Sequence, residues 1–192
     1  MSKPRALAPV AALGLAGVVA AYAAILAWPS VTGRTDGTAP SGPAWTEVKW
    51  PFPMDQWGLG RAFRCRPADC GTEVTLYLRA KIGFCNCETG VADDEELERI
   101  GDIELAGEQS VAVGPGRPIT VHWMKGRSRG YAVMGGMQSA KSLLAIAFND
   151  RCDAIVATAM VAGHRPTEPE AAVLEFLNGN LVRRWAEVTL GL

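Results

Sequence analysis

From Ala6 to Trp28 the chain runs for 23 residues without a charged side chain. Such a run constrains a fold before anything else is considered. As a helix it reaches about 34 Å at 1.5 Å per residue, against a bilayer core of about 30 Å. It has no polar face, so it does not read as a helix half-buried in a soluble domain. Lys3 and Arg5 precede it and Trp28 closes it. Positive charge stays on the cytoplasmic side and Trp favours the interface. The expectation is one N-terminal transmembrane helix over residues 1–28, with the rest of the chain exported. The competing reading is a cleaved signal peptide, with Ala21 and Ala23 as an A-x-A site, although signal h-regions usually span about 7–15 residues. Either way the remainder lies outside the cytoplasm. The expected location is the inner (cytoplasmic) membrane, single-pass, with the C-terminal domain on the periplasmic or extracytoplasmic side.

Residues 29–44 hold three prolines and three glycines without hydrophobic periodicity, which reads as a tether. Residues 45–192 are then one exported globular domain, long enough to build its own core. The whole chain carries a net charge of −1, which argues against a nucleic-acid partner.

Within that domain, AWTEVKW, RAFRC and TEVTLYLRA read as strands. In the third, Val74, Leu76, Leu78 and Ala80 share one face, and Glu73, Thr75, Tyr77 and Arg79 the other. PITVHWMKG and GYAVM read as a further pair joined by a basic turn, Lys125, Arg127 and Arg129. LLAIAFNDRCDAIVATAMV reads as a hairpin around NDRCD, apolar enough for both faces to be covered. DDEELERIG is a short helix capped by Asp93 and Glu96. The C-terminal segment reads as one long helix opened by a Thr167–Glu170 capping box, with Leu174, Leu177, Leu181, Trp185 and Val188 as its packing stripe and a bend at Gly179. The predicted fold is α+β: an antiparallel sheet of about six strands with a long C-terminal helix packed on it.

All five cysteines, Cys65, Cys70, Cys85, Cys87 and Cys152, lie in the part read as exported, where thiols pair. Cys65 and Cys70 flank a short turn and are expected to bridge. The strand that follows separates Cys70 from Cys85 and Cys87 by roughly 30 Å, beyond disulfide reach. Cys152 is therefore expected to pair with Cys85 or Cys87, leaving one thiol over.

The Cys85-Asn86-Cys87 segment admits a second chemistry. With His122 and Met124 on one face of their predicted strand, and Met134 and Met137 beyond, it offers thiolate, imidazole and thioether ligands suited to Cu(I). No nucleophile elbow, metalloprotease helix or phosphate-binding glycine loop is present, so neither a catalytic residue nor a resident cofactor is assigned. Trp45, Trp50 and Trp57 fall close together among prolines and form the candidate partner contact. The expectation is a membrane-tethered, disulfide-braced, non-catalytic accessory or interaction domain of a cell-envelope assembly. The alternative is an envelope thiol-redox or copper-handling protein acting through Cys85 and Cys87.

Overall fold

In the computed structural model the described residues are 43–107, 109–134 and 141–192. The expected transmembrane segment, most of the tether and Met137 lie outside them. Among the described residues no helix is long and apolar enough to cross a membrane.

Eight strands form a single antiparallel sheet: β1 (Trp45–Val48), β2 (Arg61–Cys65), β3 (Val74–Lys81), β4 (Ser110–Ala112), β5 (Arg117–Val121), β6 (Met124–Val133), β7 (Ser142–Asp150) and β8 (Asp153–Val161). Their order is β1-β2-β3-β8-β7-β6. The last edge is shared, because β5 lies along Met124–Ser128 and β4 along Tyr131–Val133 of the long β6. Among the described residues four helices accompany the sheet: α1 (Pro67–Cys70), α2 (Asp94–Ile100), α3 (Glu170–Leu177) and α4 (Asn180–Leu190), with a 3₁₀ turn at Ile103–Ala106.

The period-2 pattern sorts side chains into two cores. Leu144, Ile146 and Phe148 of β7 join Ile155, Ala157 and Ala159 of β8 under α3 and α4. Leu143, Ala145 and Ala147 face the other way and meet Leu97, Ile100 and Ala106. Those last three belong to the connection between β3 and β4, which crosses the second face of the sheet. Covering on both faces is why β7 and β8 read as almost continuous apolar runs.

The sheet has two strands more than the sequence suggests, and the segment read as PITVHWMKG is not one strand. Val121 pairs with Met124, so His122 and Trp123 form a two-residue hairpin turn. His122 sits at φ 54°, a conformation such turns require at a central position. Lys125, Arg127 and Arg129 accordingly lie inside β6 rather than in a turn. Lys125 is exposed, as a solvated residue would be, but the two arginines are not. Arg127 bonds Asp94 of α2, and Arg129 reaches Glu98 at 2.7 Å. β4 is three residues long, too short for a period to register.

Asp93 caps α2 as its D-x-x-E pattern predicts, accepting the Glu96 N–H at 2.8 Å. The Thr167–Glu170 box does not form. Pro169 precedes α3 without a side-chain cap, and the buried Glu170 carboxylate instead accepts the Ser128 hydroxyl at 2.5 Å. The C-terminal helix is two helices. Gly179 is extended, at φ −75° and ψ 155°, and shifts the phase of α4 relative to α3. Val173 and Leu177 of α3 are continued by Val182, Ala186 and Leu190 of α4. Leu181 and Val188, which an unbroken helix would turn inward, are exposed.

The acidic face of α2 is thus an ion-pairing surface against β6. Burial pushes the Asp94 carboxyl up, but the Arg127 hydrogen bond, the Gly116 N–H and the Arg129 charge together hold it below its ordinary value. A carboxyl depressed on folding adds stability above its unfolded pKa, near 3.9, and loses it as pH falls through the lower folded value. Asp94→Asn is therefore expected to lower the urea midpoint at pH 7, and the gap to wild type to narrow near pH 3. A gap independent of pH would mean that the carboxylate charge contributes nothing.

Candidate functional site at the cysteine corner

The end of β3, the loop beyond it and the β7–β8 turn meet at one corner of the sheet. Backbone bonds set the approach. The Cys85 N–H donates to the Cys152 carbonyl at 3.1 Å, and the Gly83 N–H donates to the Asp153 carboxylate at 2.7 Å. Asn86, between the two cysteines, makes the turn. Its side-chain oxygen accepts the N–H groups of Glu88 at 2.9 Å and Thr89 at 3.2 Å, an Asx turn. Its own N–H is held by Glu96 of α2 at 2.7 Å. The loop then closes at Gly90, whose φ of 64° and contact with the Asn149 amide leave no room for a Cβ.

The two cysteines of this turn part company. Cys87 lies outside and is bridged to Cys152, with Cα atoms 4.3 Å apart. Cys85 is free and buried, its thiol donating to the Arg151 carbonyl at 3.2 Å. Burial, with the Glu96 charge second, pushes that thiol up to about 11. The thiolate is the reactive form, so at neutral pH Cys85 is a poor nucleophile. The other bridge, Cys65–Cys70, closes α1 onto the end of β2, Cα to Cα 6.1 Å. It sits beyond the opposite end of β3, about 25 Å along the eight-residue strand.

Beside the corner is a set of charges with no counterpart in the sequence reading. Arg79 and Lys81 follow Tyr77 on the face of β3 that looks toward the β3–β4 connection, and both are buried. Asp102, just past α2, receives both: Arg79 Nε at 2.5 Å, Arg79 Nη2 at 2.6 Å and Lys81 Nζ at 2.8 Å. Asp55 takes the remaining Arg79 nitrogen at 2.5 Å. That hydrogen bond, opposed by burial, holds the Asp55 carboxyl below its ordinary value. Trp57 and Phe84, ring centroids 4.5 Å apart, roof the Lys81 ammonium at 5.5 and 5.8 Å. A strand face bearing Tyr, Arg and Lys looks solvent-facing in sequence. The only available signal was that the covering segment ends in an aspartate.

The copper ligand set is not assembled. His122 is in the β5–β6 turn, its N–H held by Asn178 at 2.8 Å. Met124 is buried in the core under α3 and α4, whereas Cys85 lies in the core on the opposite face. Cys87 is in a bridge. Among the described residues no group of three or more His, Cys, Asp or Glu side chains is placed to hold a metal ion. The tryptophans do not form one patch. Trp45 packs on Phe176 of α3 at 4.9 Å, Trp50 on Tyr77 across the sheet at 5.7 Å, and Trp57 on Phe84.

The fold and corner define an α+β domain whose central sheet is covered on both faces and stapled beyond each end of β3. No protein-family model, curated protein or solved structure matches the chain.

Proposed function

We propose that the protein is a membrane-tethered, exported accessory domain of a cell-envelope assembly, braced by disulfides and working by contact rather than catalysis. One observation carries the reading. In a chain with 23 uncharged residues from Ala6 to Trp28, four of the five cysteines are joined in two bridges while the fifth is buried, the pattern of a domain that matures in an oxidising compartment. Residues 6–28 would hold it in the inner membrane as a single pass, and residues 45–192 would face the periplasmic or extracytoplasmic side. The partner would be another envelope protein.

A thiol-redox or copper-handling role through Cys85 and Cys87 is the second reading. What favours it is the free Cys85 lying beside the Cys87–Cys152 bridge.

The test is a thiol count on the full chain, extracted from membranes with thiols blocked at lysis. The expected result is one blocked cysteine, Cys85, and that only after denaturation. Non-reducing peptide maps should link Cys65 to Cys70 and Cys87 to Cys152. Three or more blocked thiols, or stoichiometric copper in an unblocked sample, would overturn the brace and favour the second reading.

A further inference from the structure

The outer side of α4 is left unexplained by the core and by the cysteine corner. Leu181 and Val188 are 46% and 84% exposed. With the half-buried Trp185 they span about 60° of arc at 100° per residue. Together with Arg61 of β2 and Arg184 they line an open groove of about 670 Å³. Scattered exposed apolar residues are ordinary, but three in one groove rimmed by two guanidinium groups mark a contact surface.

The position of the tether says what that surface meets. The chain enters β1 at Trp45, which packs on Phe176 of α3, on the side of the sheet that α4 also covers. Sixteen residues separate Trp45 from Trp28. A tether of that length has an r.m.s. reach of about 20–25 Å, while a domain of this size is roughly 40 Å across. If residues 6–28 anchor the chain, a domain attached on its helical side by so short a tether can bring α4 to the bilayer.

We propose that this groove docks on the bilayer surface. Leu181, Trp185 and Val188 enter the boundary between headgroups and acyl chains, where an amphipathic ring such as Trp185 is at home. Arg61 and Arg184 lie along the apolar surface and meet lipid phosphates. Glu47 already holds Arg61, one of the two rim guanidiniums, at 2.7 Å. Apolar burial therefore dominates, and anionic lipid adds only modestly. The inference rests on residues 6–28 being an anchor, as proposed above.

The full chain carrying Val188→Cys, labelled with an environment-sensitive dye, tests it in vesicles of phosphatidylcholine with and without phosphatidylglycerol. Val111→Cys on β4, at the far edge of the sheet and 59% exposed, is the control. The label at 188 is expected to shift to the blue and to be quenched by brominated acyl chains, in both lipids. The label at 111 is expected to do neither, and adding Leu181→Glu should diminish the shift at 188. Alkaline extraction separates the two claims. If the protein stays in the membrane and the 188 label behaves like the 111 label, the docking is overturned and the anchor stands. If the protein is extracted, the anchor fails and the docking falls with it. A shift that follows protein density rather than lipid would give the groove to a second copy and also overturn the proposal.

Discussion

Asp102→Ala is expected to cost about 3–5 kcal/mol of folding stability, the loss typical of a buried ion pair stripped of one partner. Arg79, Lys81 and Asp102 are each no more than 5% exposed at the side chain. Among the described residues, removing the carboxylate leaves Lys81 with no salt bridge and Arg79 with only the half-open Asp55. Asp102→Asn should cost less, because the amide oxygen still accepts a hydrogen bond. The triple change Arg79→Met, Lys81→Met, Asp102→Leu should lie closer to wild type than Asp102→Ala does, since it removes the charges together instead of orphaning two. Urea titration with a constant slope measures all three. Asp102→Ala within about 1 kcal/mol of wild type would mean that water reaches the cluster and solvates it, the behaviour of a surface pair.

That cluster also shows where sequence reading stops. Alternation along TEVTLYLRA separates Val74, Leu76 and Leu78 from Tyr77 and Arg79 correctly, because strand geometry is local. It cannot say what covers the second face. Leu97 and Ile100, which do cover it, look like the narrow edge of a surface helix until the β3–β4 connection is seen crossing the sheet. The same limit explains α4. A stripe drawn through Leu174, Leu181 and Val188 assumes one continuous helix. A single extended residue at Gly179 moves the buried face to Val182, Ala186 and Leu190. The β5–β6 turn was hidden because His122 and Trp123 continue an apolar run and carry no Gly or Asn to mark a reversal. The class of fold, by contrast, was legible. It rests on two kinds of local signal: apolar patterning, alternating in β3 and near-continuous in β7 and β8, and the Asp93 cap of α2. The cysteine corner was half legible. Chain geometry separates its cysteines from Cys65 and Cys70, but the choice between Cys85 and Cys87 depends on a turn built by one asparagine side chain.

That choice yields the second large effect. In the chain-entropy account a bridge stabilises in proportion to the logarithm of the loop it closes. Cys87–Cys152 spans 65 residues and Cys65–Cys70 only five, which gives about 4 kcal/mol for the first and about 2 kcal/mol for the second. Cys152→Ala is therefore expected to cost roughly twice as much as Cys70→Ala. Cys87→Ala should differ from Cys152→Ala although both break the same bridge. It leaves Cys152 unpaired beside Cys85, whose backbone N–H already bonds the Cys152 carbonyl. A bridge between those two closes a loop of nearly the same length, so when the protein matures under oxidising conditions Cys87→Ala should recover much of the loss. Adding Cys85→Ala should abolish that recovery. Non-reducing peptide maps identify the bridge, and urea midpoints measure its worth. Equal destabilisation by Cys87→Ala and Cys152→Ala, with Cys85 still a thiol, would show that packing against Val91 and Leu97 holds Cys85 too firmly for it to reach its neighbour. The corner would then admit one pairing, and the spare thiol would be a core side chain rather than a reserve.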